Sequence, residues 1–264
     1  MISSLPKEVY QFGEHRATYL PTVLPGRIML GVALAMLLLS LLPFSIAIRK
    51  SSIEEYRVLS DSFRRDSIRV NTVLGGIMIL ISVVLFALAY HHKHRRVDVY
   101  TDGFVFTGWR RSLTFPWDDV REVYASPVYR RTSRGYGQIV NWTYTVHGQD
   151  GASVKIGGLE GMDELGQTIQ TEVGRRLLPQ AMAAYRAGNE VRFGPKLSLS
   201  QQGVRVGKTL LPWPDVARVN LGRDNAVTIW QKGKRMPWKR LNSGSVANPM
   251  VLKALLDRTF REAT

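Results

Sequence analysis

The sequence predicts an α+β membrane protein: a two-helix transmembrane hairpin followed by two small antiparallel β domains of sandwich or barrel type, each closed by a C-terminal helix. Three observations predict it. Two uncharged runs, 28–48 and 72–90, each match the length that crosses roughly 30 Å of hydrocarbon at about 1.5 Å per residue. From Val97 onward the hydrophobic period changes from helical to alternating. The stretch Phe115-Pro116-Trp117-Asp118-Asp119-Val120 then returns as Leu211-Pro212-Trp213-Pro214-Asp215-Val216, which reads as one β unit used twice.

Charge is unevenly distributed. The chain carries a net charge of +15, and 27 of its 36 Lys and Arg, against 15 of its 21 Asp and Glu, follow Tyr90. A basic domain tethered to a bilayer faces anionic headgroups most simply, at about 1 kcal/mol per cation near the surface. Nucleic acid is the competing polyanion and rests on charge alone. The absence of cysteine excludes disulfides and thiol chemistry.

In chain order, residues 1–27 read as a cytoplasmic N-terminal arm. Residues 28–90 read as the hairpin, with spans 28–48 and 72–90 and a solvated loop over 49–71. Pro43 predicts a kink in the first span, and Gly75-Gly76 a close approach of the second helix to the first. Counting Lys and Arg on the two sides of the hairpin gives a tie. The undiluted cluster Lys93, Arg95 and Arg96, with the basic domain behind it, places both termini in the cytoplasm of a multi-pass inner-membrane protein. The first β domain covers 95–188. Its turns fall at Asp102-Gly103 and Asp150-Gly151, and its helix begins near Met162 with Leu165, Ile169, Val173 and Leu177 on one stripe and a break or restart at Pro179. The second domain covers 189–264 and ends in a helix with Asn248 as N-cap and Pro249 in the first position.

The run Tyr100-Thr101-Asp102-Gly103-Phe104-Val105-Phe106 and the two Pro-Trp-x-Asp-Val segments resemble the opening of bacterial pleckstrin-homology-like domains. The order of arm, two spans and paired units, with Arg192-Phe193-Gly194 opening the second, is similar to a bacterial membrane protein family of unassigned function with two N-terminal transmembrane helices and tandem domains of this kind. That resemblance implies a membrane-anchored, cytosolic, non-catalytic scaffold.

Gly207-Lys208-Thr209 mimics the end of a phosphate-binding loop, but Gln202 stands where that loop needs glycine. His91, His92 and His94 have metal-like spacing without a completing carboxylate, and read as an interfacial flank. Trp117, Asp119, Trp213 and Asp215 read as structural anchors of the recurring turn. The functional candidate is the segment 231–240, where Lys232, Lys234, Arg235, Lys239 and Arg240 surround Trp238, a composition suited to anionic lipid or to stacking on nucleic acid; the competing and preferred reading is a solvated hairpin whose Trp238 is core. Arg130, Arg131 and Arg134 form a lesser patch of the same sort.

No catalytic, cofactor or metal constellation emerges, so the expectation is a non-enzymatic protein without cofactor. Its tandem domains would dock an unidentified protein partner or the anionic membrane surface. An accessory subunit of a membrane enzyme or transporter is the alternative, disfavoured because neither span carries Asp, Glu, Lys, Arg or His. A membrane-tethered nucleic-acid binder is the lesser alternative.

Overall fold

Two long apolar helices, two further helices and four small antiparallel sheets make up the described residues, 12–52, 61–108, 111–131 and 137–262, of a computed structural model. The chain divides into a helical unit, chiefly Pro21–Arg95, and a β-rich unit that holds the remaining described segments.

In the helical unit, α1 (Val23–Ser52) packs along α2 (Asp61–Lys93). The windows Gly26–Arg49 and Ile68–His91 are long and apolar enough to cross a membrane, and only 22% and 17% of each is buried. Leu38, Leu41, Leu42, Leu80 and Val83 all point outward. The helices meet closely at the expected place: a Cβ on Gly75 would stand 2.6 Å from the Phe44 ring. Buried Ser82 donates its hydroxyl to the Ala33 carbonyl of the other helix at 2.8 Å. Of the expected loop 49–71, the described residues 49–52 and 61–71 are helical instead. Asp61 already lies in α2, because Arg65 and Arg69 are good helix formers that need no apolar face outside a core. The helical turn anticipated around 53–59 lies outside the described residues.

The β-rich unit contains two modules with the same order of elements. In the first, β1 (His15–Tyr19), β2 (Arg96–Tyr100), β3 (Gly103–Thr107) and β4 (Ser112–Pro116) form one sheet. A 3-10 turn at Trp117–Asp119 leads to a second sheet of β5 (Val120–Arg131), β6 (Gly137–Gly148) and β7 (Ser153–Ile156), followed by α3 (Met162–Arg186). In the second module the four-stranded sheet is β8 (Val191–Arg192), β9 (Leu197–Ser200), β10 (Gly203–Val206) and β11 (Thr209–Pro212). A 3-10 turn at Trp213–Asp215 follows, then β12 (Val216–Leu221), β13 (Val227–Gln231), β14 (Lys239–Leu241) and α4 (Pro249–Glu262).

Registers correspond as well as order. Gly103 faces Pro116 and Gly203 faces Pro212, and each glycine is required by close approach. A Cβ on Gly103 would meet the Phe115 carbonyl oxygen at 2.6 Å, and one on Gly203 would collide with that of Leu211. The Trp117 N–H donates to the Asp102 carbonyl at 2.9 Å, and the Trp213 N–H to that of Gln202 at 3.3 Å.

Two sequence expectations change here. Residues 1–27 are not wholly a separate arm, because His15–Tyr19 is the edge strand of the first sheet, with Tyr19 opposite Val97 and Thr18 bonded to Asp98 at 2.8 Å. Five residues with one strongly apolar position give little sequence signal for a strand whose partner lies beyond the whole hairpin. The second change is that α3 continues through Pro179. Losing one backbone bond costs about 3 kcal/mol, but the continued helix serves two cores. Leu165, Ile169 and Val173 pack with Val97, Phe104, Trp117 and Val146, while Leu178, Met182 and Tyr185 pack with Phe193, Leu199 and Leu252. The junction expected between 188 and 189 is thus crossed by the packing of α3.

Candidate functional site

The basic segment 231–240 is the turn between β13 and β14. Gly233 sits at φ 73°, and the Lys234 N–H donates to the Gln231 carbonyl at 3.2 Å, so the chain reverses with its cations outward. Lys232, Lys234, Arg235, Lys239 and Arg240 are all exposed. Trp238 is not an outward anchor: half-buried, it packs on the second core, and its N–H donates to the Ile229 carbonyl at 2.8 Å. The exposed apolar group at the turn is Met236, 77% accessible between Arg235 and Pro237. This is the position that the solvated-hairpin reading expects of Trp238. The discriminating signal was register, because Trp238 follows a turn whose length returns it to the inner side.

Beside the turn, the outer face of the sheet carries residues that composition did not single out. Arg218 lies over the Trp230 ring with its guanidinium carbon 3.9 Å from the centroid, and Arg240 is opposite Thr228 on β14. The long β5–β6 hairpin reaches this region, where the Tyr129 hydroxyl donates to Asp224 at 3.2 Å. Burial, and then the Asp224 carboxylate, push the Tyr129 phenol above its usual range, while Arg240 pulls it the other way. Arg130 is exposed on the same arm. The side chain of Arg131 and all of Arg134 lie outside the described residues.

The four anchor residues have structural positions. Trp117 is 1% exposed, ring against Phe104 at 5.4 Å, and its indole N–H has no hydrogen-bond partner among the described residues. Trp213 is half-buried and donates its indole N–H to the Ser200 carbonyl at 2.8 Å. Asp119 and Asp215 act through their main chains: their carbonyls accept from the Gln149 and Lys232 N–H groups, each at 2.8 Å, while both residues stay exposed. Asp118 is the paired carboxylate, bound by Arg176 at 2.8 Å. Arg176 also holds Glu172 at 2.8 Å, and Arg16 of β1 reaches Glu172 at 3.0 Å. Burial alone would raise the Glu172 carboxyl, but hydrogen bonds from Arg176 and Arg16 outweigh it and hold the group below its ordinary range.

The remaining motifs resolve locally. Gly207 and Lys208 form the tight turn between β10 and β11, so the Gly-Lys-Thr triplet joins two strands. His91 contacts Arg95 at 3.1 Å, and His94 stacks near Tyr90 at 4.3 Å, both at the end of α2. A pocket of about 310 Å³ in the second module is lined by Arg192, Lys196 and Arg205, but Glu190 sits among them. The Ser198 hydroxyl, first, and then Arg205 hold the Glu190 carboxyl below its usual range, so Glu190 offsets part of the positive charge of the pocket. Within the helical unit, a cleft of about 880 Å³ opens between the ends of α1 and α2, lined by Val23, Leu30, Val83 and Phe86 with Arg27 and Lys93 at its rim.

A family model matches residues 1–263, almost the whole chain. The chain belongs to the family of unknown function DUF6585. Membership extends over the helices and both β modules together, so the combination is a property of the family and not of a chance fusion. No curated protein and no solved structure matches the chain.

Proposed function

We propose that this protein is a membrane-anchored, non-catalytic scaffold in which α1 and α2 cross the bilayer and two tandem pleckstrin-homology-like modules present binding surfaces from the cytoplasmic side. The observation that carries the reading is connectivity. The hairpin is inserted between β1 and β2, adjacent antiparallel strands, so both of its ends join the first module, with Tyr19 opposite Val97. If the helices span, that module is held on the side where both ends emerge. The largely unburied leucine faces of the helices support the lipid environment. The recurring order of four strands, 3-10 turn, three strands and helix supports the tandem, pleckstrin-homology-like reading.

In this reading the 231–240 turn touches anionic lipid with Met236 as its apolar tip and five cations around it. At about 1 kcal/mol per charge, attraction of this size orients a tethered module. The test uses the full chain, whose lack of cysteine makes single-site labelling clean. An environment-sensitive dye at Met236→Cys, in nanodiscs of anionic lipid at 0.1 M salt, should be quenched by lipid-borne quencher. Quenching should fall at 1 M salt, where the Debye length shrinks from about 10 Å to about 3 Å. Equal quenching in neutral nanodiscs, or no loss on changing Lys232, Lys234, Arg235, Lys239 and Arg240 to Ser, would reject the lipid role and leave protein docking.

A further inference from the structure

The two modules are joined through a strand edge. On β5, the Val123 N–H donates to the Asn248 side-chain oxygen at 2.9 Å, and the Val123 carbonyl accepts the Asn248 N–H at 2.8 Å. The Asn248 side-chain amide donates to the Arg121 carbonyl at 3.0 Å, and Tyr124 bridges Ala247. Asn248 takes φ 49° to do this, a left-handed conformation that asparagine tolerates better than other residues with a side chain. The edge of β5 is thus closed by a short extended segment ending in an asparagine immediately before a helix.

The second module carries the same edge with no strand paired to it among the described residues. Both sheets have a register irregularity at the same point, between Val120 and Glu122 and between Val216 and Arg218, which aligns Val123 with Val219 and Tyr124 with Asn220. Val123 is 1% exposed beneath its segment, whereas Val219 is half-buried and Ala217, Arg218 and Asn220 are exposed. On the side away from β13, residues 217–220 make no backbone hydrogen bond among the described residues. An unpaired edge of this kind templates another strand.

From this correspondence we propose that the β12 edge is a strand-addition site for an extended segment of a partner protein, in which an asparagine precedes a helix and bonds the main chain of Val219 and Ala217. The joint on β5 shows which chemistry fits. A second copy of this chain is the wrong occupant, because its matching segment is engaged on its own β5 and two chains of charge +15 repel. The proposal is independent of how the chain meets a membrane.

The test uses the full chain and a synthetic peptide of residues 242–251. With Cys at the Ala247 position, that peptide should form a disulfide with Asn220→Cys under oxidised glutathione, since the corresponding pair on β5 is Tyr124 and Ala247. Trapping should be at least about tenfold slower with Lys208→Cys, on another sheet, and with a peptide whose asparagine is alanine, in keeping with loss of about 1.4 kcal/mol. Equal trapping at Lys208→Cys, or indifference to the asparagine, would overturn the site. A predominant disulfide dimer of Asn220→Cys without peptide would overturn the choice of a partner segment over a second copy. The asparagine comparison is made on one folded chain, so it does not depend on a variant that might fail to fold.

Discussion

Asp119 and Asp215 support their turns through carbonyl oxygens, so the carboxylates are dispensable while the neighbouring indoles are not. Trp117→Ala should lower stability by about 3–5 kcal/mol, the usual cost of emptying a large aromatic site, whereas Asp119→Ala and Asp215→Ala should each stay within about 0.5 kcal/mol. The two tryptophans differ when changed to Phe. Trp213→Phe loses its bond to Ser200, worth about 1 kcal/mol, while the buried Trp117 indole N–H gives up no such bond. Thermal unfolding of the solubilised chain measures all five variants. Glu172 provides the pH counterpart. Its folded pKa is depressed, so its stabilising contribution is present above the unfolded carboxylate value of about 4.3 and is lost as pH falls through the folded value. Melting temperature should therefore fall less steeply below about pH 4 in Glu172→Gln than in the parent chain.

At the scale of elements, one side chain closes the β5 edge at the joint between modules. Asn248→Ala leaves the Val123 N–H and Arg121 carbonyl without their partner, at about 1–3 kcal/mol, and hydrogen exchange at Val123 should accelerate by more than tenfold. Most elements were legible because their signals are local: the alternation through β3 and β4, the Asn248-Pro249 start of α4, and the uncharged runs. What escaped depended on distant partners. Nothing within His15–Tyr19 says that β2 waits beyond two helices, and nothing beside Pro179 says that Met182 has a second core to enter. The candidate turn was legible by charge, but which of Met236 and Trp238 faces outward was not, because inward or outward direction follows from register.

At the scale of the whole molecule, the proposed topology predicts sidedness. A membrane-impermeant thiol reagent applied to intact cells should label Ser51→Cys and not Ser243→Cys; labelling of Ser243→Cys alone would reverse the proposed orientation. The inserted hairpin also sets an order of events during synthesis. In the second module, β8 and β9 are joined by the short turn 193–196, closed by the Phe193 N–H bonding the Leu197 carbonyl at 2.8 Å, and can pair as soon as they are made. The strand β1 is made first but must wait for β2 until every residue between 20 and 95 has been translated. Across an unstructured connection of that length, closure would cost roughly 2–3 kcal/mol more than across a turn. Packing of α1 against α2 removes that excess by bringing the ends together. Completion of the first sheet thus becomes a readout of helix pairing, and a nascent chain whose helices fail to associate would expose the free edge of β2 to quality control.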